Sequence, residues 1–409
     1  MAKDLWDAVV IGGGPAGSSF AYELAKRSFN VAVFEEHPEV GLPSHCAGHI
    51  SIRSLRSLGL YPLPDGIVEN TFSAANFHSP LGAKFSVHLT KPVTCAVNRA
   101  KFDHFLAQNA KAQGAHFQTN SRVQSLIVKK GAVKGITLAQ NTDSEGQVLA
   151  KLVVDAEGIS SRLLKQTGLR GLEGKKLVYA VEAEMDDVRD VEDHAVEVFL
   201  GKNYAPGFYG WLIPKLDGSA KVGLATNEGN PKEFFERLIH NHPVASKQLK
   251  NAKVKSLAFH AITLGGPIPN AYSNGFLAVG DCASQVKPTT GGGVVFSITC
   301  ARKAAEVASE ALKTSDLSKN SLQQYQQRIS EALGFDVAVM SKARQVLDGF
   351  SDKKIESAFR FASRVGLGEA LRDVDEIDFQ GRMILSLVKK PAAFATLMYL
   401  MALYLFTFG

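Results

Sequence analysis

The stretch Asp7 to Glu35, DAVVIGGGPAGSSFAYELAKRSFNVAVFE, constrains this chain more than any other. Ala8-Val9-Val10-Ile11 is an uninterrupted apolar run, suited to a buried parallel strand. Gly12-x-Gly14-x-x-Gly17 follows at once, then a helical stretch through Lys26. A second apolar run, Val31 to Phe34, ends on Glu35, 18 positions after Gly17. A GxGxxG alone is a weak signal. Between a strand and a helix, with an acid at that distance, it is the arrangement that binds a dinucleotide. Gly12 permits the tight turn, Gly14 lets the backbone approach the pyrophosphate, and Gly17 lets helix and strand pack closely. The pyrophosphate meets the positive end of the helix. Glu35 is expected to accept hydrogen bonds from the adenosine ribose, and its charge disfavours a 2′-phosphate.

With 409 residues the chain is too long for one typical core, which predicts two domains or one domain with a subdomain. A formal charge of +6, with no basic run interleaved with aromatics, suits anionic lipid or phosphate and argues against nucleic acid. Cys46, Cys95, Cys282 and Cys300 form no CxxC pair, so neither a zinc site nor an iron–sulfur cluster is expected. Their scatter fits a reducing cytoplasm, and with a strand expected so near Met1 no signal peptide is expected. Ala392 to Gly409 carries no charge and follows Lys389 and Lys390. As a helix it would reach about 27 Å, slightly short of a bilayer core of roughly 30 Å. It reads either as a device holding the protein at the cytoplasmic face of a membrane or as a buried final helix.

The expected class is α/β, with a discontinuous dinucleotide domain (1–72, 98–177, 255–313) and an inserted β-rich substrate domain (73–97, 178–254). A helical region (314–390) and the apolar tail (391–409) complete the chain. Residues Val123 to Val128, Val133 to Leu138 and Val148 to Val153 read as an antiparallel meander.

Four signals recur in order: the fingerprint; Arg99 heading a helix 64 residues beyond Glu35; Asp155-Ala-Glu-Gly158-x-x-Ser161-x-Leu163; and Gly280-Asp281-x-Ala283 with Pro288-x-x-Gly291-Gly-Gly293. The set resembles the FAD-dependent fold of p-hydroxybenzoate hydroxylase and its relatives, over Asp4 to Leu312. The resemblance implies FAD, with contacts from Gly12, Gly14, Ala16, Gly17, Glu35, Arg99, Val123, Asp281, Gly291, Gly292, Gly293 and Val294. Asp281 would bond the ribityl chain, Arg99 would touch the cofactor from outside, and the glycine-rich helix start would face the pyrimidine edge. Reduced flavin is negative there, and a helix N-terminus stabilises that charge. The third motif departs from the family pattern, with Glu157-Gly158 in place of Asp-Gly.

Two further motifs resemble those of geranylgeranyl reductases. Pro43-Ser-His-Cys46-Ala-Gly48 is similar to their PxxCxG loop, and Tyr209-Gly-Trp211-Leu-Ile-Pro214, with Gly223 after eight intervening residues, to their YxWxFP…GxG signature. Ile213 and Ala225 depart from it. The resemblance implies a catalytic role for Cys46, flavin contacts from Cys46, Ala47 and Gly48, and a substrate lining of Tyr209, Trp211 and Pro214. Strand alternation puts Tyr209, Trp211 and Ile213 on one face. His45 is expected to be structural or exposed.

The implied activity is saturation of geranylgeranyl chains on archaeal-type ether glycerophospholipids, with NAD(P)H or ferredoxin as electron donor. Two readings stay open beside it: an aromatic monooxygenase or halogenase of the same fold, and a non-catalytic prenyl-binding escort.

Overall fold

A computed structural model describes residues 5–139, 146–172 and 174–405, so the last four residues of the apolar tail lie outside the described residues. The chain divides into two compact units. The first comprises Met1–Ser44, Arg99–Gly174 and Thr263–Gly334. Its sheet runs Tyr272–Ser273, Phe276–Ala278, Gln147–Asp155, Trp6–Ile11, Val31–Phe34, His116–Gln118, with Val123–Lys129 and Ala132–Leu138 attached to it. Trp6–Ile11 pairs in parallel with Val31–Phe34 on one side and with Gln147–Asp155 on the other. Ala8, Val9, Val10, Leu152, Val153 and Val154 are all inaccessible, as uninterrupted apolar runs require when helices cover both faces. The helix Pro15–Ala25 supplies the crossover between the first two strands and packs on the long helix Val294–Thr314. Phe20 and Leu24 are fully buried on that first helix, each contributing about 1.5–3 kcal/mol of apolar burial. The meander forms as expected, although Val148–Val153 is part of one strand, Gln147–Asp155, that also enters the parallel sheet.

The second unit comprises His45–Asn98, Lys175–Ile262 and Phe335–Gly409. Its seven-stranded sheet runs Lys253–Thr263, Leu177–Asp186, Ala220–Thr226, Gly210–Pro214, Ala195–Phe199, Ala74–His78, Lys84–His88. One face carries Val181, Ala183, Phe199, Leu212, Val222 and Leu224 against Phe235 and Leu238 of the helix Pro231–Asn241. A small sheet pairs His49–Ser51 and Val68–Phe72 with Thr94–Val97. That pairing groups residues 45–72 with the second unit, whereas the sequence assigns them to the dinucleotide domain. The return to the first unit likewise falls after Ile262, not near 255, because Lys253–Thr263 is an edge strand of the seven-stranded sheet.

The tail forms the helix Pro391–Leu405, set at 114° to Gln380–Leu387. Among the described residues no single helix is long and apolar enough to cross a membrane. Tyr399 stacks on Phe361 at 4.1 Å and its hydroxyl meets Ser357 Oγ at 2.7 Å, while Lys354 Nζ donates to Leu403 O. Tyr399 thus faces protein, as does Tyr404, whose ring lies 3.4 Å from where a Cβ on Gly349 would stand. Phe394, Met398, Met401 and Leu405 remain exposed at i, i+4, i+7 and i+11, one stripe of the helix.

Candidate active site

In the first unit, the fingerprint turns where the first strand ends. Gly12 has φ +95°, its N–H donates to Phe34 O at 2.8 Å, and a Cβ there would sit 2.4 Å from Ala156 O. A Cβ on Gly17 would lie 1.9 Å from Gly12 O, so the helix approaches the turn as closely as a missing side chain allows. Gly14 is different. It is the N-cap of Pro15–Ala25 with no side-chain cap, and nothing lies within 4 Å of the Cβ it lacks. An open space at an uncapped helix N-terminus is a cradle of the kind a pyrophosphate occupies.

Glu35 is buried at the edge of this cradle. Oε2 accepts from Gly13 N at 2.8 Å, and Oε1 accepts from His37 N at 3.0 Å and meets His37 Nδ1 at 2.7 Å. The carboxylate closes the fingerprint loop and keeps acceptor capacity for a hydroxyl. Arg99, heading the helix Arg99–Ala112, binds Asp103 through both Nε and Nη2, at 3.1 and 2.9 Å. Burial raises the Asp103 carboxyl above its usual range; Arg99 pulls it down and Glu35 pushes it up. Asp103 was missed in the sequence, although an Arg–Asp pair at i, i+4 was its visible signal. Val123 is buried at the head of its strand.

Asp281 sits in the short 3-10 turn Gly280–Ala283; burial raises its carboxyl, and Arg99 opposes the shift. A Cβ on Gly293 would stand 2.9 Å from Asp281 Oδ1, so this glycine lets the carboxylate rest against the start of Val294–Thr314. That helix has no side-chain cap either. Gly291 has φ +68°, and a Cβ on Gly292 would meet Lys287 Cε at 2.5 Å. Lys287, nearly buried, was also missed; it is the lone cation between Gly280 and Gly293. Ala16 packs under Gly280, whose absent Cβ would lie 3.0 Å from it. Glu157 accepts from Leu163 N at 2.6 Å and from Ser160 Oγ at 3.0 Å, so the longer acid closes the third motif's turn itself. These residues fit FAD: two uncapped helix starts, an open cradle, and two acids, Glu35 and Asp281, beside them.

The other site residues belong to the second unit. Trp211 pairs with Gly223 and Val198, and Gly223 with Glu182, so all four lie in one row across the sheet. A Cβ on Gly223 would lie 2.5 Å from Trp211 Cζ2. The indole therefore lies across the glycine, with Nε1 donating to Glu182 Oε2 at 3.1 Å. Tyr209 meets Trp211 edge-on at 6.0 Å and stacks on Phe208 at 4.2 Å. Its hydroxyl is pushed up by burial, with Arg344 opposing and Cys46 reinforcing the shift. Ile213 joins Phe72, Ala96 and Val196 in a cluster against which Ala47 and Trp211 pack. The expected common face of Tyr209, Trp211 and Ile213 thus forms, and the Cys46 loop lies beside it. Pro214 is a correction. It pairs with Ala220, which belongs to the core on the other face with Leu212, so it does not line the aromatic side.

Cys46 is exposed, whereas Cys95, Cys282 and Cys300 are buried. His45 is exposed and stacks on His260 at 5.7 Å. Gly48 has φ +70°, and its carbonyl accepts from Val97 N at 2.9 Å. At the surface, His88, Glu192 and His194 bring three potential metal-ligand atoms within 4.8 Å of one another, with Lys84 Nζ 3.4 Å from Glu192. Sequence spacing hid this group because His88 comes from a distant strand.

The FAD binding domain family model matches residues 6–332. Digeranylgeranylglycerophospholipid reductase 2 of Methanothermobacter thermautotrophicus is 32% identical over 363 residues, covering 87% of this chain and 91% of that protein. Digeranylgeranylglycerophospholipid reductase of Methanocaldococcus jannaschii is 31% identical over 393 residues, covering 95% and 97%. A solved geranylgeranyl bacteriochlorophyll reductase-like protein from Thermoplasma acidophilum superposes with a TM-score of 0.85 at 27% identity, covering 97% of this chain and 99% of that one. A flavin-dependent brominase, 20% identical with a TM-score of 0.71 over 90% and 93%, shares the fold. The chain is an FAD-dependent oxidoreductase and belongs to the digeranylgeranylglycerophospholipid reductase family within the FAD-binding-domain proteins.

Proposed function

We propose that this protein saturates the double bonds of geranylgeranyl chains carried on archaeal-type ether glycerophospholipids. The observation that carries the reading is the juxtaposition, within one unit, of the exposed Cys46 loop and the face bearing Tyr209, Trp211 and Ile213. The names of the relatives supply the substrate class. Gly14, Glu35, Arg99, Asp281 and the helix start at Gly291–Val294 hold FAD, which supplies the hydride when bound and reduced. An unactivated alkene accepts a hydride poorly, so positioning and water exclusion do most of the work. Tyr209 and Trp211 line the path of the isoprenoid chain and orient one alkene carbon. The Cys46 thiol, covered by the substrate chain while it reacts, hands a proton to the other carbon and regains one from solvent after product leaves. The electron donor is NAD(P)H or ferredoxin, consistent with a single dinucleotide fingerprint in the sequence.

The protein works at the cytoplasmic face of a membrane. Support comes from the exposed stripe Phe394, Met398, Met401 and Leu405, with exposed Leu385 and Lys389 on the preceding segment. Apolar side chains entering one leaflet beside a cation near anionic headgroups describe an interfacial helix better than a spanning one.

The deciding experiment is anaerobic incubation of the dithionite-reduced protein with a geranylgeranyl glycerophospholipid, followed by mass spectrometry. Mass gains of two hydrogens per step are expected. No gain, or gain of an oxygen atom when air is admitted, overturns the reading.

A further inference from the structure

The strand Ala220–Thr226 is buried at every position, yet its second residue is a lysine. An ammonium taken out of water must find acceptors for its three N–H bonds. Lys221, 8% exposed, donates to two carbonyls, Val97 O at 3.1 Å and Ala47 O at 3.3 Å, and forms an ion pair with Glu69 Oε2 at 2.8 Å. Ala47 directly follows Cys46. The next carbonyl, that of Gly48, accepts from Val97 N. Both carbonyls after the thiol are therefore held, one by a side-chain cation and one by the neighbouring strand. Glu69 is shared with Lys215, 3.5 Å away, which also pairs with Glu184. Lys221 stands opposite Ile213 in the sheet, two residues from the Gly223 on which the Trp211 ring lies. One strand thus seats the aromatic lining with residue 223 and fastens the cysteine loop with residue 221.

We propose that Lys221, anchored by Glu69, is a positioning residue that fixes the Cys46 thiol relative to the aromatic face. Its consequence for turnover rests on the reductase reading above. A structural ion pair would need only Glu69; the two carbonyl bonds are what tie the cation to the loop.

The test uses the holoenzyme and three variants: Lys221→Met, Lys221→Arg and Glu69→Gln. With the other three cysteines buried, maleimide labelling of the native protein, read by mass spectrometry of the Cys46 peptide, reports this thiol. Lys221→Met is expected to change the labelling rate by about fivefold or more, and to lower kcat roughly 10- to 100-fold with KM nearly unchanged, as misplacement of a reacting group does. Lys221→Arg, which keeps the cation and its donors, should restore both to within about threefold of the parent. Labelling and kcat unchanged in Lys221→Met, or an arginine variant as impaired as the methionine one, overturns the proposal. Should Lys221→Met fail to fold, Glu69→Gln decides: labelling and kcat shifted in the same direction support it, and parental values refute it. If the parent protein saturates no geranylgeranyl lipid, the reductase reading falls, while the labelling comparison still decides the role of Lys221.

Discussion

Gly14 and Gly17 belong to one motif, and substituting them should have opposite consequences. Gly14 has φ −65° and ψ −172°, extended backbone open to any residue, and no atom lies within 4 Å of its missing Cβ. Gly14→Val in the flavin-free protein should therefore leave stability within about 1 kcal/mol of the parent, the fewer unfolded conformations offsetting small losses. The same side chain fills the cradle and keeps a pyrophosphate from the helix start. Gly17→Ala instead drives a Cβ to 1.9 Å from Gly12 O, where real contacts stop at 3.0 Å, so the turn or the helix must move by more than an ångström. Overpacking of that kind costs about 1–3 kcal/mol or more, with or without flavin. Thermal unfolding with and without added FAD separates the two. At 100 times its dissociation constant FAD stabilises the parent by about 2.7 kcal/mol. Gly14→Val should match the parent without FAD and show no shift with it; Gly17→Ala should start lower. A Gly14→Val protein that purifies with a full flavin complement would refute the placement of the cofactor.

Cys46→Ala should bind FAD normally yet change the rate or extent of saturation; unchanged turnover and product distribution would reduce Cys46 to packing. Gly223→Ala places a methyl 2.5 Å from the Trp211 ring and 2.6 Å from Val181 O, so it should lower stability, push the ring off its seat, and impair lipid turnover more than flavin reduction by an artificial donor. Equal losses in the two assays would indicate a folding defect instead. Replacing Phe394, Met398 and Met401 together with serine should abolish sedimentation with anionic vesicles while leaving the melting temperature near the parent's, since all three are exposed; lost stability would make the stripe part of the core. His242 is fully buried, donates from Nε2 to Ser79 O and accepts from Val244 N and Ala245 N, and burial pushes it down to about 4. The unfolded chain takes up this proton first, so stability falls as pH drops from about 6.5 towards 4, by about 3 kcal/mol in all. Urea midpoints across that window should fall in the parent and flatten in His242→Gln.

The dinucleotide half was legible because its chemistry is local: Gly12 and Gly17 answer to backbone beside the turn, and Gly14 opens a space at the helix start a few residues away. Alternation likewise exposed the shared face of Tyr209, Trp211 and Ile213. The same parity puts Pro214, an even position, on the opposite side of the strand from Trp211 and Ile213. Unit boundaries were less legible, because the allegiance of His49–Ser51 rests on hydrogen bonds to Thr94–Val97, more than forty positions on. Lys221, Glu69 and Glu182 were invisible for the same reason. Their meaning lies in register, and register is set by strands far apart in the chain.

Why a face suited to an apolar chain should be bordered by Glu182, Glu184, Lys215, Lys221 and Glu69 follows from what each charge holds. Apolar substitutes would pack at least as stably, because desolvating paired ions consumes much of their attraction. They would not select a geometry. Glu182 takes the indole N–H and so chooses which way the Trp211 ring lies over Gly223, while Lys221 takes a carbonyl and so chooses where the Cys46 loop sits. Each of these charged groups makes an oriented bond and leaves the packing of the rings to their apolar neighbours. For a reaction governed by the placement of one alkene carbon and one proton, directional bonds beneath an apolar lining supply what burial alone cannot.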